Sequence, residues 1–410
     1  MKILFRRYNA LAGAKLLAGA AMALYVGLPI ASANAESLPE RIVVGGVAPL
    51  TGGGSVLGVA ISTGLRMAVE EINAKGGIAG RKVDVVMGDT QSDPTAASNE
   101  TKRVILQGKA NFLIGPAVSQ EVVASAAVAT GSKILQMTTA GTSDLTPKVA
   151  PYHFSFNWSS DVQAESMVKY AIEQLGSKTP GILTDNGGQS KTGVKALHRA
   201  LEARSIKAAG EQEFPFRVED MTPQMLSLRR SGADVILFFA STVEDTGKAG
   251  ITARDIGWDV PIVGAGSVAT YAATVASRYG VEALQNVVAE SYPGLTYCSG
   301  SPVGTSEYGK FLTRLKDFRP DLAGKIPAAT ASYFYSGVYL AKLAIEATNS
   351  VDGAILANWI EKNAPSLSIL QGVPDGVTGS SHFLFGPKSV VMAKEPHKLR
   401  EDGLMARASC

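Results

Sequence analysis

The chain has 410 residues, 46% of them hydrophobic and 18% charged, with a formal net charge of +3. That length allows two domains with cores of their own. Lys2, Arg6, Arg7 and Lys15 exceed the whole charge surplus and no acid precedes Glu36, so the rest has no electrostatic case for nucleic acid or an anionic membrane. After the basic start comes an uncharged, mostly apolar run, Leu16 to Ile30, and then Ala33-Asn34-Ala35. This is the pattern of a secretory signal peptide over 1–35, cleaved after Ala35 into the periplasm. The run is short for a membrane span, and no later segment holds about 18 apolar residues in a row, so a soluble mature chain without stable membrane insertion is expected.

From Ile42 onward, strand-like and helix-like patterns alternate. Strands are expected at Ile42–Ala48, Val83–Gly88, Phe112–Gly115, Ile134–Met137, Gly181–Thr184, Val235–Phe239, Ile262–Gly264 and Val287–Ala289. Helical periodicity falls between them at 58–75, 95–107, 120–130, 161–176, 190–204, 222–231, 243–257 and 268–279. Two more helices are expected at 305–318 and 328–348, then short strands at 367–371, 381–385 and 389–394. This order predicts an α/β protein of repeated βαβ units with mainly parallel, doubly wound sheets. Such sheets bind ligands at the carboxyl ends of their strands.

Two loops carry the chemistry. Phe112–Pro116 reads as a buried strand entering a turn, and Ser119 stands where the next helix should start and can cap it. The strand Ile134–Met137 ends in Thr138-Thr139-Ala140-Gly141-Thr142, small residues that let backbone N–H groups approach a ligand. Together they could cradle a carboxylate, although ordinary turn chemistry gives the same pattern. Trp158 follows Phe154-Ser155-Phe156-Asn157 and could stack on a planar ligand or pack a core.

Enzyme signatures are missing. Gly52, Gly54 and Gly58 imitate a dinucleotide loop, but Leu57 takes the last glycine position and Asp89 lies too far on. There is no G-x-S-x-G elbow and no Walker A sequence. His153, His198, His382 and His397 lack metal-ligand spacing. No catalytic residue, metal or cofactor is therefore assigned. Cys298 and Cys410 are the only cysteines. Export permits a disulfide, but Cys410 is the last residue and chain ends fray, so no structural disulfide is expected.

The segment Asn73-Ala74-Lys75-Gly76-Gly77-Ile78-Ala79-Gly80-Arg81-Lys82 completes a unit. The strand from Ile42, the turn Thr51-Gly52-Gly53-Gly54-Ser55 and a helix bearing Ile61, Leu65, Ala68, Val69 and Ile72 precede it; Val83–Met87 and Asp89–Pro94 follow. The unit resembles the opening of the periplasmic solute-binding proteins of branched-chain-amino-acid-type ABC importers. The resemblance implies a type I periplasmic-binding fold, with two lobes joined by three hinge strands near Asn157–Ser160, Tyr292 and Gly372–Thr378. The lobes would be 36–158 with 292–375, and 159–291 with 376–410. It implies a monomer that captures a small solute by hinge closure and delivers it to ABC permease and ATPase subunits.

By the same resemblance Ser119, Ala140, Gly141 and Thr142 hold the ligand carboxylate. Leu57 matches a position that packs an aromatic against the ligand, Tyr335 a tyrosine near the cleft, and Gln189 and Thr242 two second-lobe tyrosines. Gly266 stands where the amino-acid binders carry an acid. A buried ammonium needs a compensating charge, so a non-amino acid, aromatic or aliphatic, is the favoured solute. A branched-chain amino acid, an amide, or a sensing role are the alternatives.

Overall fold

The computed structural model describes residues 38–410; the expected leader and its cleavage site lie outside the described residues. The first half runs β1 (Ile42–Ala48), α1 (Ser55–Ala74), β2 (Val83–Asp89), α2 (Pro94–Leu106), β3 (Phe112–Ile114), α3 (Ser119–Gly131), β4 (Leu135–Thr138) and β5 (His153–Ser155). Then follow α4 (Ser160–Glu173), β6 (Pro180–Asp185), α5 (Gly188–Glu202), β7 (Gly210–Phe214), α6 (Thr222–Arg230), β8 (Val235–Phe239), α7 (Val243–Asp255), β9 (Ile262–Gly264), α8 (Gly266–Tyr279) and β10 (Val287–Ser291). The chain closes with β11 (Thr296–Tyr297), α9 (Glu307–Phe318), α10 (Ala328–Thr348), α11 (Gly353–Asn363), β12 (Val391–Lys394) and β13 (Met405–Ala406).

Five parallel strands form the first sheet in the order β2-β1-β3-β4-β5. The second has the order β12-β10-β9-β8-β6-β7, parallel except for β12. Read from β7, it repeats the strand order of the first, so the two lobes are variations on one doubly wound design. Helices α1 and α10 pack together on the first lobe, as do α2 and α3; α4 pairs with α5 and α7 with α8 on the second. Central strands such as Val235-Ile236-Leu237-Phe238-Phe239 are buried throughout, as parallel strands covered on both faces must be. The α1–α10 crossing is close because Gly64 faces the Ala331 carbonyl, where any Cβ would overlap the backbone.

Two strands escape the sequence pattern. Gly-Glu-Gln-Glu-Phe of β7 is an exposed edge whose polar residues hide it. His153–Ser155 of β5 is only three residues long. The helix α11 was not anticipated either, although Asp352 caps it by accepting from the Ala354 and Ile355 amides at 2.9 and 3.0 Å. The strands expected at 367–371 and 381–385 shrink to isolated bridges, Ile369 to Gly372 and Ser155 to Phe383.

Three passages link the lobes. The first follows β5 through Phe156–Ser159 into α4, and the second leaves β10 at Tyr292. The third comes later than the expected Gly372–Thr378. His382 and Leu384 still flank β5, through Ser155 N–H to the His382 carbonyl (3.0 Å) and Leu384 N–H to the Ser155 carbonyl (2.8 Å). The chain joins the second sheet only at β12. Aromatic residues from all three passages meet: Trp158 stacks on Tyr292 with centroids 4.0 Å apart, and Phe385 meets Tyr292 edge-on at 4.9 Å.

The cysteine expectation is corrected. Cys298 and Cys410 form a disulfide with Cα atoms 5.9 Å apart. The last residues are held, because β13 pairs with β11 and Arg407 N–H donates to the Tyr297 carbonyl at 3.0 Å. The bridge closes a loop of 112 residues, which constrains the unfolded chain strongly. Replacing both cysteines with serine should cost about 2–4 kcal/mol of stability, measured by denaturant titration; an unchanged midpoint would assign the anchoring to the short ladder alone.

Candidate functional site

In the first sheet the strand order reverses between β1 and β3, and in the second between β6 and β8. Loops at the carboxyl ends of these strands are where such folds bind ligands. Here those loops face one another and enclose a cavity of about 40 Å³. The first lobe contributes Ala117, Val118, Ser119 and Thr139, with Thr330 and Tyr333 from α10. The second contributes Gln189, Ser241, Gly266, Ser267, Thr270 and Tyr271, and the passages add Asn157 and Tyr292. Among these described residues none carries an Asp, Glu, Lys, Arg or His side chain.

The cavity is nevertheless rich in donors. Helices α3, α5 and α8 all begin at it, and none is capped by its own N-cap side chain; the Gly188 amide donates to Gln120 Oε1 at 3.4 Å and the Gly266 amide to Glu290 Oε2 at 3.1 Å. Elsewhere α2, α4, α7, α9 and α11 are capped by Asp93, Ser159, Thr242, Ser306 and Asp352, while α1, α6 and α10 also lack a side-chain cap. Uncapped first-turn amides carry partial positive charge and favour an anion. Ser119 does not cap α3 as expected; Val118 holds the cap position, and Ser119 Oγ accepts the Gly141 N–H at 3.2 Å. The Ser267 hydroxyl is buried without a partner. Burial pushes the Tyr271, Tyr292 and Tyr333 phenols above their ordinary value, so all three stay protonated. The Tyr292 hydroxyl donates to the Phe156 carbonyl at 2.6 Å, and Tyr333 shares a 3.0 Å hydrogen bond with Thr270 across the lobes.

A family model for periplasmic binding proteins matches residues 41–381. The chain belongs to this family. Over 198 residues it is 28% identical to the Leu/Ile/Val-binding protein BraC3 of Rhizobium johnstonii, covering 48% of this chain and 54% of that one. The chain thus spans about half the length of the curated relatives it matches. Its fold is that of the isoleucine complex of the branched-chain amino acid substrate-binding protein LivJ from Streptococcus pneumoniae (TM-score 0.70, 23% identity, covering 89% of this chain and 97% of that one). It is equally that of a Rhodopseudomonas palustris solute-binding protein in complex with 3,4-dihydroxybenzoic acid (TM-score 0.71, 18% identity, covering 90% and 97%). Among the described residues no helix is long and apolar enough to cross a membrane.

This periplasmic binding protein gathers only part of the expected site at the cavity. Ser119, Gln189 and Gly266 line it. Trp158 does not; it is fully buried one layer behind, stacked on Tyr292. A Cβ built on Gly266 would lie 2.8 Å from Trp158 Cζ3, so the tryptophan occupies the space a longer residue there would need. The carboxyl of Glu290, which accepts the Gly266 N–H at 3.1 Å, is fully buried, and that burial pushes it well above the ordinary carboxyl value. Gly141 serves as a seat: a Cβ there would meet Gln189 Cδ at 2.5 Å. Ala140 and Thr142 are buried beside it and engage Ser155 and Asp144 instead. Leu57 and Thr242 line a separate, smaller cavity near Val118. Tyr335 lies away from both, bonding Glu71 at 2.6 Å between α1 and α10. Its neighbour in the sequence pattern, Tyr333, faces the cleft, since residues two apart on a helix point in different directions. Ser241, Ser267, Thr270 and Tyr271 were not anticipated; the only signal for them was their place just after β8 and β9.

Glu121 on α3 is 2% exposed and accepts the Thr90 hydroxyl at 2.5 Å. Burial pushes its carboxyl up to about 7, with Asp93 and Asp89 adding to the rise and Thr90 and Arg217 opposing it. A carboxyl raised by folding favours the folded state while protonated, and loses that contribution as pH rises through its folded value. Glu121→Gln should therefore leave stability unchanged near pH 4 and raise it, by up to about 3 kcal/mol, at pH 8. Parallel melting curves of the two proteins between those pH values measure the difference; a constant offset would refute it.

Proposed function

We propose that this chain is the extracytoplasmic solute-capture component of an ABC import system, and that its solute is a small acid without a free α-amino group. One observation carries the reading: three helix N-termini, none capped by its own N-cap side chain, converge on a cavity whose lining offers no carboxylate side chain. Such a cavity favours an anionic head group and gives an ammonium no partner, at a cost on the order of 3–5 kcal/mol when one half of a buried ion pair is missing. Trp158 behind Gly266 supports the same preference. The tyrosines suit a ring or an alkyl chain, with Ser267 and Thr270 as hydroxyl partners.

The solute docks first on the Ser119 end of α3. The second lobe then closes through Gln189, Ser267 and Tyr271, bending at the three passages. Contacts made only in the closed form drive such closure. A permease would recognise the closed surface, and its ATPase partner would supply the energy. A branched-chain amino acid is the second reading, favoured by the name of the curated relative; the fold alone serves both an isoleucine and a dihydroxybenzoic acid binder.

The test uses protein stripped of solute by unfolding and refolding, then melted with leucine, isoleucine, benzoate, 3,4-dihydroxybenzoate or hexanoate. A solute at 100 times its dissociation constant adds about 2.7 kcal/mol of stability. A shift with an acid and none with leucine or isoleucine is expected; a shift with either amino acid alone overturns the acid assignment. Ser119→Ala with Ser267→Ala should weaken that binding about tenfold, while unchanged affinity would remove the proposed head-group site.

A further inference from the structure

Two amide side chains line the main cavity, Asn157 and Gln189. Asn157 is satisfied at both ends: Nδ2 donates to the Thr139 carbonyl at 3.2 Å, and Oδ1 accepts the Trp158 N–H at 2.9 Å. Gln189 is held at one end only. Its Nε2 donates to Gln163 Oε1 at 3.1 Å, while its Oε1 takes no hydrogen bond among the described residues and is not sealed from solvent. Several hydroxyls of the lining also turn their protons away from the solute. Thr139, Thr270, Tyr271 and Tyr292 donate to the backbone carbonyls of Ala117, Gly266, Ser241 and Phe156. Since the Thr270 proton goes to Gly266, Tyr333 is the donor in the hydrogen bond these two share. The wall therefore offers lone pairs as well as the donors at the helix ends.

Which end of Gln189 is free is decided behind the wall. Gln163 on α4 is fully buried; its Nε2 donates to the Trp158 carbonyl at 3.0 Å, and its Oε1 receives the Gly266 N–H at 3.4 Å. A carbonyl only accepts and a backbone N–H only donates. Turning the Gln163 amide over would set oxygen against oxygen and N–H against N–H. Its Oε1 therefore faces Gln189, and only the Gln189 Nε2 can meet it. The Gln189 oxygen is left as the free acceptor. A solute whose one polar group is a carboxylate leaves that acceptor without a donor, which costs binding. An ammonium would supply a donor but brings a charge the neutral lining does not compensate. A hydroxyl supplies the donor without the charge.

We propose that Gln163 is a positioning residue that fixes the Gln189 side-chain oxygen as a hydrogen-bond acceptor toward the cavity, and that the solute is a hydroxy acid whose hydroxyl donates to it. This rests on the acid reading above and adds the second polar group of the solute. Because Gln163 is anchored on the Trp158 carbonyl, the orientation of the Gln189 amide is set from the first passage between the lobes.

The experiment measures dissociation constants of the full exported chain, stripped and refolded, for 3,4-dihydroxybenzoate against 3,4-difluorobenzoate and for 2-hydroxyhexanoate against hexanoate. Fluorine is close to a hydroxyl in size and donates nothing. Wild type, Gln189→Met, Gln163→Met and Gln163→Ala are compared, with circular dichroism confirming the fold. In wild type the hydroxy acid of at least one pair is expected to bind about tenfold tighter than its partner. That ratio should fall to about one in Gln189→Met and in the Gln163 variants, because the freed Gln189 amide can then turn. Binding of acids with no hydroxyl preference in wild type overturns this inference and leaves the acid reading standing. No binding of any acid overturns both. A preference that survives in Gln189→Met, or equal losses for both members of a pair, removes the acceptor role. A preference lost in Gln189→Met but kept in the Gln163 variants, or failure of both Gln163 variants to fold, removes the positioning role and makes Gln163 a packing residue.

Discussion

The structure depends on how three chain passages are fastened at one point. Trp158, Tyr292 and Phe385 come from different passages and pack as one aromatic cluster, and the Tyr292 hydroxyl ties the second passage to the first at the Phe156 carbonyl. Stacked and edge-on aromatic pairs of this kind add to the stabilisation that burial alone supplies. The cluster also brings Tyr292 to the cavity wall and braces it from behind with Trp158.

The cleft is closed by side chains seated on glycines. Arg217 rests on Gly53, Gln189 on Gly141, and Ser119 approaches Gly188. Each seat works because no Cβ fills it, allowing backbone and side chain from opposite lobes to meet within van der Waals distance. The glycine-rich turn after β1 is therefore a landing surface for the second lobe, and not a phosphate loop. The same geometry explains why small residues dominate the loops at both switch points.

Electrostatics divides the interface into two zones. The main cavity holds only neutral groups, with phenols that burial keeps protonated and helix ends that supply partial positive charge. Ionisable side chains line the neighbouring cavity instead, where buried Glu121 meets partly buried Arg217 and Glu244. A neutral, donor-rich pocket discriminates through hydrogen-bond geometry and the sign of the charge it tolerates.

Much of this was legible without coordinates. Alternation of apolar strands such as Val235–Phe239 with amphipathic helices determined the α/β class, because parallel strands buried on both faces need continuous apolar runs. The small-residue loops after β3 and β4 marked the right end of the first sheet, and Ser119 and Gly266 were placed at the cavity from local pattern and family likeness. What the sequence did not reveal was set by contacts distant in sequence. The Cys298–Cys410 bridge depends on β11 meeting β13, Tyr335 turned from the cleft to Glu71, and Trp158 moved behind Gly266 because Tyr292 stacks on it. The edge strand β7 was hidden because its exposure made it polar. By itself the sequence determined which segments must be buried, since local periodicity reports burial directly. Only the tertiary structure decided which side chains share the cleft, because that follows from how two sheets and three passages pack in space.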